Sequence, residues 1–236
     1  MDPARRGRPV HAMPASGRHA QPSHNQPKGP AMTNTSATTT STSASAKRDR
    51  LLLWVDTETD GVDPDSCEVF EVGLKLTDML ATRILRSMSV VVRRECVHVD
   101  RDNWKAIRMH VDNHLLDECL DDERSSSMAA VVLQVGDFIT AATNDAIVYP
   151  AGTNLTFDLR IIRRILSSQL DEHTADRIMG LLHYRHQDIT SLRLADQALD
   201  HNPYQHHAGT HRVDDCLTRD IQDYREYLQR LNGDEQ

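Results

Sequence analysis

Leu51-Leu52-Leu53-Trp54-Val55-Asp56-Thr57-Glu58-Thr59-Asp60-Gly61-Val62-Asp63-Pro64 passes within a few residues from an apolar run to a cluster of acids. The five apolar side chains at 51–55 read as a buried strand ending in Asp56. A turn follows at Asp60-Gly61. Successive strand residues point to opposite faces, so Asp56 and Glu58, two apart, leave the same one. Such a pair can hold a hard cation. Mg²⁺ takes oxygen ligands in near-octahedral geometry and keeps several waters, so a few carboxylates and a substrate phosphate suit it. Acids also decorate ordinary turns, and the pair needs partners from elsewhere in the chain before it means more.

Outward from this stretch the periodicity predicts a layered α/β protein. Phe70, Val72, Leu74 and Leu76 alternate with Glu71, Gly73, Lys75 and Thr77, the period of a strand. A third strand is expected over 84–93. Over 128–142, Val131, Val132, Val135, Phe138 and Ile139 share a helical face behind serines 125–127, which can cap it. A short strand at 146–149, a loop at 150–154 and a helix over 157–170 come next. The last helix, 213–231, carries Leu217, Ile221, Tyr224 and Leu228 as its stripe. Three consecutive strands and then helices alternating with strands predict a mixed sheet covered by helices.

Residues 1–48 differ from the rest. They are rich in Pro, Gly, Ser, Thr, Ala and His, lack apolar periodicity, and are expected to form a disordered low-complexity tail ahead of a single domain over 49–236. The tail's charge is +6 and the remainder's is −14. So acidic a body is poorly suited to tracking long polyanions, whose non-specific affinity comes from Lys and Arg. It calls for metal ions or short substrates. Arginines with a near absence of acid in the tail also fit a transit peptide, which would direct an otherwise cytoplasmic protein to mitochondria. No apolar run approaches the roughly 20 residues of a membrane span, so a soluble protein is expected. The four cysteines, Cys67, Cys96, Cys119 and Cys216, are scattered without zinc-like spacing and read as reduced thiols.

Two further segments carry chemistry. Ala151-Gly152-Thr153-Asn154-Leu155-Thr156-Phe157-Asp158 is a polar loop opening a helix, with Asp158 in its first turn, where the helix dipole alone would favour an acid. Gly209-Thr210-His211-Arg212-Val213-Asp214-Asp215 precedes the last helix, and a His beside acids can act as a general base near neutral pH.

These segments, together with His183-Tyr184-Arg185-His186-Gln187-Asp188-Ile189-Thr190-Ser191-Leu192, resemble the DEDDh exonucleases, and among them the oligoribonuclease family. The resemblance spans essentially all of 51–230. It implies an RNase H-like fold with a five-stranded mixed sheet, and 3′→5′ hydrolysis of short single-stranded RNA to 5′-mononucleotides with two divalent ions, Mg²⁺ or Mn²⁺. Asp56, Glu58, Asp158 and Asp215 would hold the metals, and His211 would be the general base. Val62 would wedge against the bases. His114 would lie near the nucleotide, and Arg185, Thr190 and Asn154 would cap its 5′ end, Asn154 standing where the family has Ser. Tyr184 would reach the partner's site in a homodimer. The family spaces its His and last Asp with four residues between them, whereas three separate His211 from Asp215. A gapless alignment would put Cys216 at that position. Asp215 is the expected ligand, with Asp214 as the lesser alternative. Competing readings are a proofreading-like exonuclease on single-stranded DNA, favoured by Asp56-Thr57-Glu58-Thr59, and a catalytically weakened nucleotide-binding homologue.

Overall fold

The computed structural model describes residues 48–204 and 209–233, so the expected tail, apart from Arg48, lies outside the described residues. Five strands form one sheet in the order β3-β2-β1-β4-β5: β1 (Asp49–Thr59), β2 (Val69–Asp78), β3 (Ile84–Val91), β4 (Ala146–Gly152) and β5 (Gln187–Asp188). β1 pairs antiparallel with β2 and parallel with β4, β2 pairs antiparallel with β3, and β4 pairs parallel with β5. The sheet is therefore mixed, and the α/β architecture is the one expected.

β1 is central and buried on both sides, which explains why its first half is continuously apolar rather than alternating. Leu53 and Val55 pack into one core with α3 (Met128–Thr143), α4 (Leu155–Gln169) and α5 (Glu172–Met179). Leu52 and Trp54 face the other side, where Ile189 of α6 (Ile189–Ala198) and Leu217, Ile221 and Tyr224 of α7 (Val213–Leu231) close a second core. α1 (Trp104–Asp112) and α2 (Leu115–Cys119) cover the end of β2, burying Phe70, Ile107, Leu115 and Leu116.

Two register features position the site. β1 runs on to Thr59, past its expected end at Asp56, because pairing with β2 continues through Asp56 opposite Gly73 and Glu58 opposite Glu71. Its pairing with β4, by contrast, stops at Trp54 opposite Ala151. From Val55 onward β1 thus has a strand on one edge only, and β4 turns away into α4. A crevice beyond the carboxyl end of a strand, where neighbouring strands part, is where open α/β sheets place ligands. Two glycines allow the close packing around it. A Cβ on Gly152 would lie 2.6 Å from the Val55 carbonyl oxygen, and one on Gly73 would lie 2.6 Å from Val213 Cβ.

Candidate active site

Asp56 and Glu58 project from β1 on the α7 side, following Leu52 and Trp54. They are brought together with Cys216 of α7: one ligand atom from each lies within 4.8 Å of the other two. The Cys216 thiol is 3.7 Å from Glu58 Oε1. Asp158, in the first turn of α4, is buried, and its Oδ1 accepts a 2.7 Å hydrogen bond from the Thr57 hydroxyl. Two of the expected carboxylates therefore share one group where β1 outruns β4, and a third, Asp158, is tied to Thr57, the residue between them in β1.

Their electrostatics are those of a crowded, dry cluster. Burial, then the charges of Asp158 and Asp220, hold the Asp56 carboxyl well above the usual carboxylate range. Burial, then Asp56 and Glu71, push Glu58 up to about 8. Asp158 is pushed up to about 7, chiefly by burial and against the Thr57 hydrogen bond. Among the described residues, Asp56 Oδ2 is a buried oxygen without a hydrogen-bond partner. A buried carboxylate oxygen left bare among like charges is costly unless a proton or a cation meets it. The donor set thus fits a divalent cation, which Asp56, Glu58 and Cys216 could hold with Asp158 beside them.

Asp215, expected to be the fourth ligand, is not brought to this cluster. It is exposed, and its carboxylate accepts a hydrogen bond from the Thr210 hydroxyl. The reason is helical geometry. At 3.6 residues per turn, Val213, Cys216, Leu217, Asp220, Ile221 and Tyr224 share the buried face of α7. Asp215 falls roughly opposite Val213, and nothing at the helix start rotates it inward. Asp214 is held elsewhere, 2.8 Å from Lys75 Nζ, which also donates to the Asp214 carbonyl and the Thr218 hydroxyl. The gapless alignment, with Cys216 at the position of the last acid, describes the helix as it folds.

His211 lies just before α7, exposed and with positive φ, and its carbonyl accepts a 2.7 Å hydrogen bond from Asn113 Nδ2. It is close enough for its charge to lower the pKa of His110, which burial already depresses. Fully buried on α1, His110 has Nε2 3.8 Å from Glu58 Oε2 and 3.0 Å from the Thr59 carbonyl oxygen. The remaining expected residues fall into two groups. Thr190 accepts from the Asn154 backbone N–H at 2.9 Å, so these two stand together where β4 meets α4. Arg185 lies over the exposed Tyr184 ring, 5.4 Å from its centroid, and that ring stacks on His183. Val62, beyond β1, is 93% exposed, which excludes core packing as its role. His114 has φ +63° at the start of α2, and its ring reaches Asp117 at 3.1 Å. Asn154 also has positive φ; with His114 and His211, three of the five non-glycine residues in that strained region among the described residues are expected site residues.

Sequence reading missed Asp220 and the group that neutralises it. Fully buried one turn after Cys216, Asp220 receives Arg193 at 2.8 Å and the Thr153 hydroxyl at 2.7 Å, with Arg219 at 3.4 Å. Its place on the apolar face of α7 was the available signal, since a buried acid implies a partner. Glu71 beside Glu58 is likewise met by Arg212 at 2.9 Å, which also holds Glu118 at 2.8 Å.

No protein-family model matches the chain. It is 24% identical over 180 residues to an oligoribonuclease of Francisella tularensis subsp. novicida, covering 76% of this chain and 95% of the relative. An oligoribonuclease of Idiomarina loihiensis is 24% identical over 143 residues, 60% of this chain and 72% of the relative. Among solved structures, E. coli exonuclease I in complex with single-stranded DNA, in a zinc-bound form, superposes with a TM-score of 0.58 at 12% identity. Exonuclease I of Methylocaldum szegediense gives a TM-score of 0.53 at 17% identity. These matches cover 79% and 76% of this chain, which spans only 42% and 40% of the exonuclease I chains. In sequence the chain is similar to oligoribonucleases, and its fold is the RNase H-like fold seen in the exonuclease I structures.

Proposed function

We propose that the chain is a metal-dependent 3′→5′ exoribonuclease that hydrolyses short single-stranded RNA, down to dinucleotides, to 5′-mononucleotides. The observation that carries this reading is the grouping of Asp56 and Glu58 with Cys216, where β1 outruns β4, about an Asp56 oxygen that no described residue satisfies, with the charge of Asp158 acting on Asp56 from α4. Bound divalent cations, two in the resembled family, supply charge stabilisation at the scissile phosphate and acidify the attacking water. Asp56 and Glu58 bind them from β1. Asp158, held by Thr57, adds negative charge from the α4 side. His211, exposed just before α7 and tied to the end of α1 through Asn113, is the base that takes the proton from water in this reading.

Short RNA is the preferred substrate for two reasons. The net negative charge of the body disfavours non-specific hold on a long polyanion. Asn154 and Thr190 form one polar patch and Arg185 with Tyr184 another, suited to closing off the 5′ end of a dinucleotide rather than passing it on. Val62 presents an apolar tip for the bases. An exposed Tyr184 is available to a second copy of the chain, and a homodimer completes the site in this reading.

The test is hydrolysis of end-labelled RNAs of two to twenty nucleotides, and of matched DNAs, by the purified full chain with Mg²⁺, Mn²⁺ or Zn²⁺. Fastest turnover of the shortest RNAs, abolished by chelator, is expected. Preference for twenty-nucleotide strands, or for DNA, would replace the proposal with a proofreading-like exonuclease. Binding of dinucleotides without turnover under any metal would make the chain a nucleotide-binding homologue. Light scattering tests the dimer, which should become monomeric or lose turnover on Tyr184→Ala.

A further inference from the structure

We infer that Cys216 is itself a metal ligand, and that this chain's site selects a thiophilic divalent cation of the zinc and cobalt class over Mg²⁺. The inference deepens the reading above by naming the ion, and it rests on the same cluster of acids.

α7 contributes to that cluster from its buried face, which at this level carries a thiol. Cys216 is 7% exposed and grouped with Asp56 and Glu58 within 4.8 Å. A lone buried cysteine would be unremarkable, since free thiols are commonly small core groups. This one faces two carboxylates, one with a buried oxygen that no described residue satisfies. The neighbouring acids of α7 are all committed. Asp214 is paired with Lys75, Asp215 accepts from Thr210 on the exposed side, and Asp220 is held by Arg193 and Thr153. The thiol is therefore the donor that α7 offers to an ion beside Asp56 and Glu58.

The donor set decides the ion. Mg²⁺ demands oxygen ligands, whereas thiolate with carboxylate suits Zn²⁺ or Co²⁺, which also bind N, O and S sites more tightly along the divalent series. On binding, the thiol proton leaves to solvent and the sulfur coordinates as thiolate.

Cobalt substitution of the full chain reads this directly, because a thiolate bound to Co²⁺ gives a near-ultraviolet charge-transfer band. Cys96 is exposed with its sulfur 3.6 Å from His98 Nε2, so the titration is done in a Cys96→Ser background. A saturable band is expected, lost on Cys216→Ser. Cys216→Asp should lower the Zn²⁺ to Mg²⁺ affinity ratio at least about tenfold by competition calorimetry. X-ray absorption of the Zn²⁺ form, needing no variant at this position, should show a sulfur at roughly 2.3 Å. No band, a band surviving Cys216→Ser, an unchanged affinity ratio, or a zinc shell of nitrogen and oxygen alone would overturn the inference. The two readings fail separately. A thiolate band without hydrolysis of RNA or DNA retires the nuclease and leaves the thiolate site. Hydrolysis with Mg²⁺ but no band retires the thiolate site alone.

Discussion

At Asp56, burial and the charges of Asp158, Asp220 and Glu71 oppose ionisation, and Arg219 favours it. Asp56→Asn keeps the side chain's shape and removes the charge. Turnover should fall roughly 10²- to 10³-fold, the scale of losing one preorganised electrostatic group. The melting temperature of the metal-free protein at pH 8 should rise by a few degrees at the same time, as relief of repulsion requires. A variant that is inactive and also less stable would mean that Asp56 is a structural acid. Arg193 gives the opposite case. It is buried and pairs with Asp220 at 2.8 Å while also donating to Thr153. Arg193→Ala leaves Asp220 buried without that guanidinium and should cost about 3–5 kcal/mol in denaturant unfolding. A cost under about 1 kcal/mol would show that Arg219 and Thr153 suffice for Asp220.

The elements hold the site through close approaches that no single segment announces. A Cβ at Gly152 would press within 2.6 Å of the Val55 carbonyl, a backbone atom that can move only by shifting β1. Gly152→Ala should therefore cost roughly 1–3 kcal/mol and weaken cation binding, because Asp56 is the next residue along. Unchanged calorimetric affinity would show that strand position and ligand position are uncoupled. The same contrast between local and long-range information explains what could be read in advance. The strand carrying Asp56 and Glu58, the sheet's class and the last helix followed from apolar periodicity, which is a property of each segment alone. Asp158 could be placed in its first turn for the same reason. α1, α2, α5 and α6 were not anticipated, since short helices leave only a few apolar positions to count. His110 and Asp220 owe their burial to elements distant in sequence, and Glu71 to pairing across the sheet. The residue that α7 brings to the cluster could have been read from its stripe. Leu217, Ile221 and Tyr224 fix which face is buried, and on that face Cys216 falls inward and Asp215 outward.

For the whole molecule, the cluster makes stability a function of both pH and metal. Glu58 at about 8, Asp158 at about 7 and Asp56 well above its ordinary value all bind their protons more tightly folded than unfolded, where such groups titrate near roughly 4. Groups shifted upward contribute stability that is complete below the unfolded value and is lost as pH rises through the folded one. The metal-free chain should therefore lose melting temperature from about pH 5 to pH 8. The exposed carboxylates Asp63, Asp100 and Asp171 are shifted downward, so their share behaves oppositely and is lost only on acidification below about pH 4. A divalent cation binds the ionised ligands of the folded state, and its stabilisation should grow over the window in which the metal-free chain weakens. Melting the protein from pH 5 to pH 8.5 with chelator or with saturating Zn²⁺ should give two curves that diverge with rising pH, and Asp56→Asn should bring them together. Parallel curves would mean that the ion binds outside the cluster, because only ligands that must surrender a proton tie the metal's stabilisation to pH.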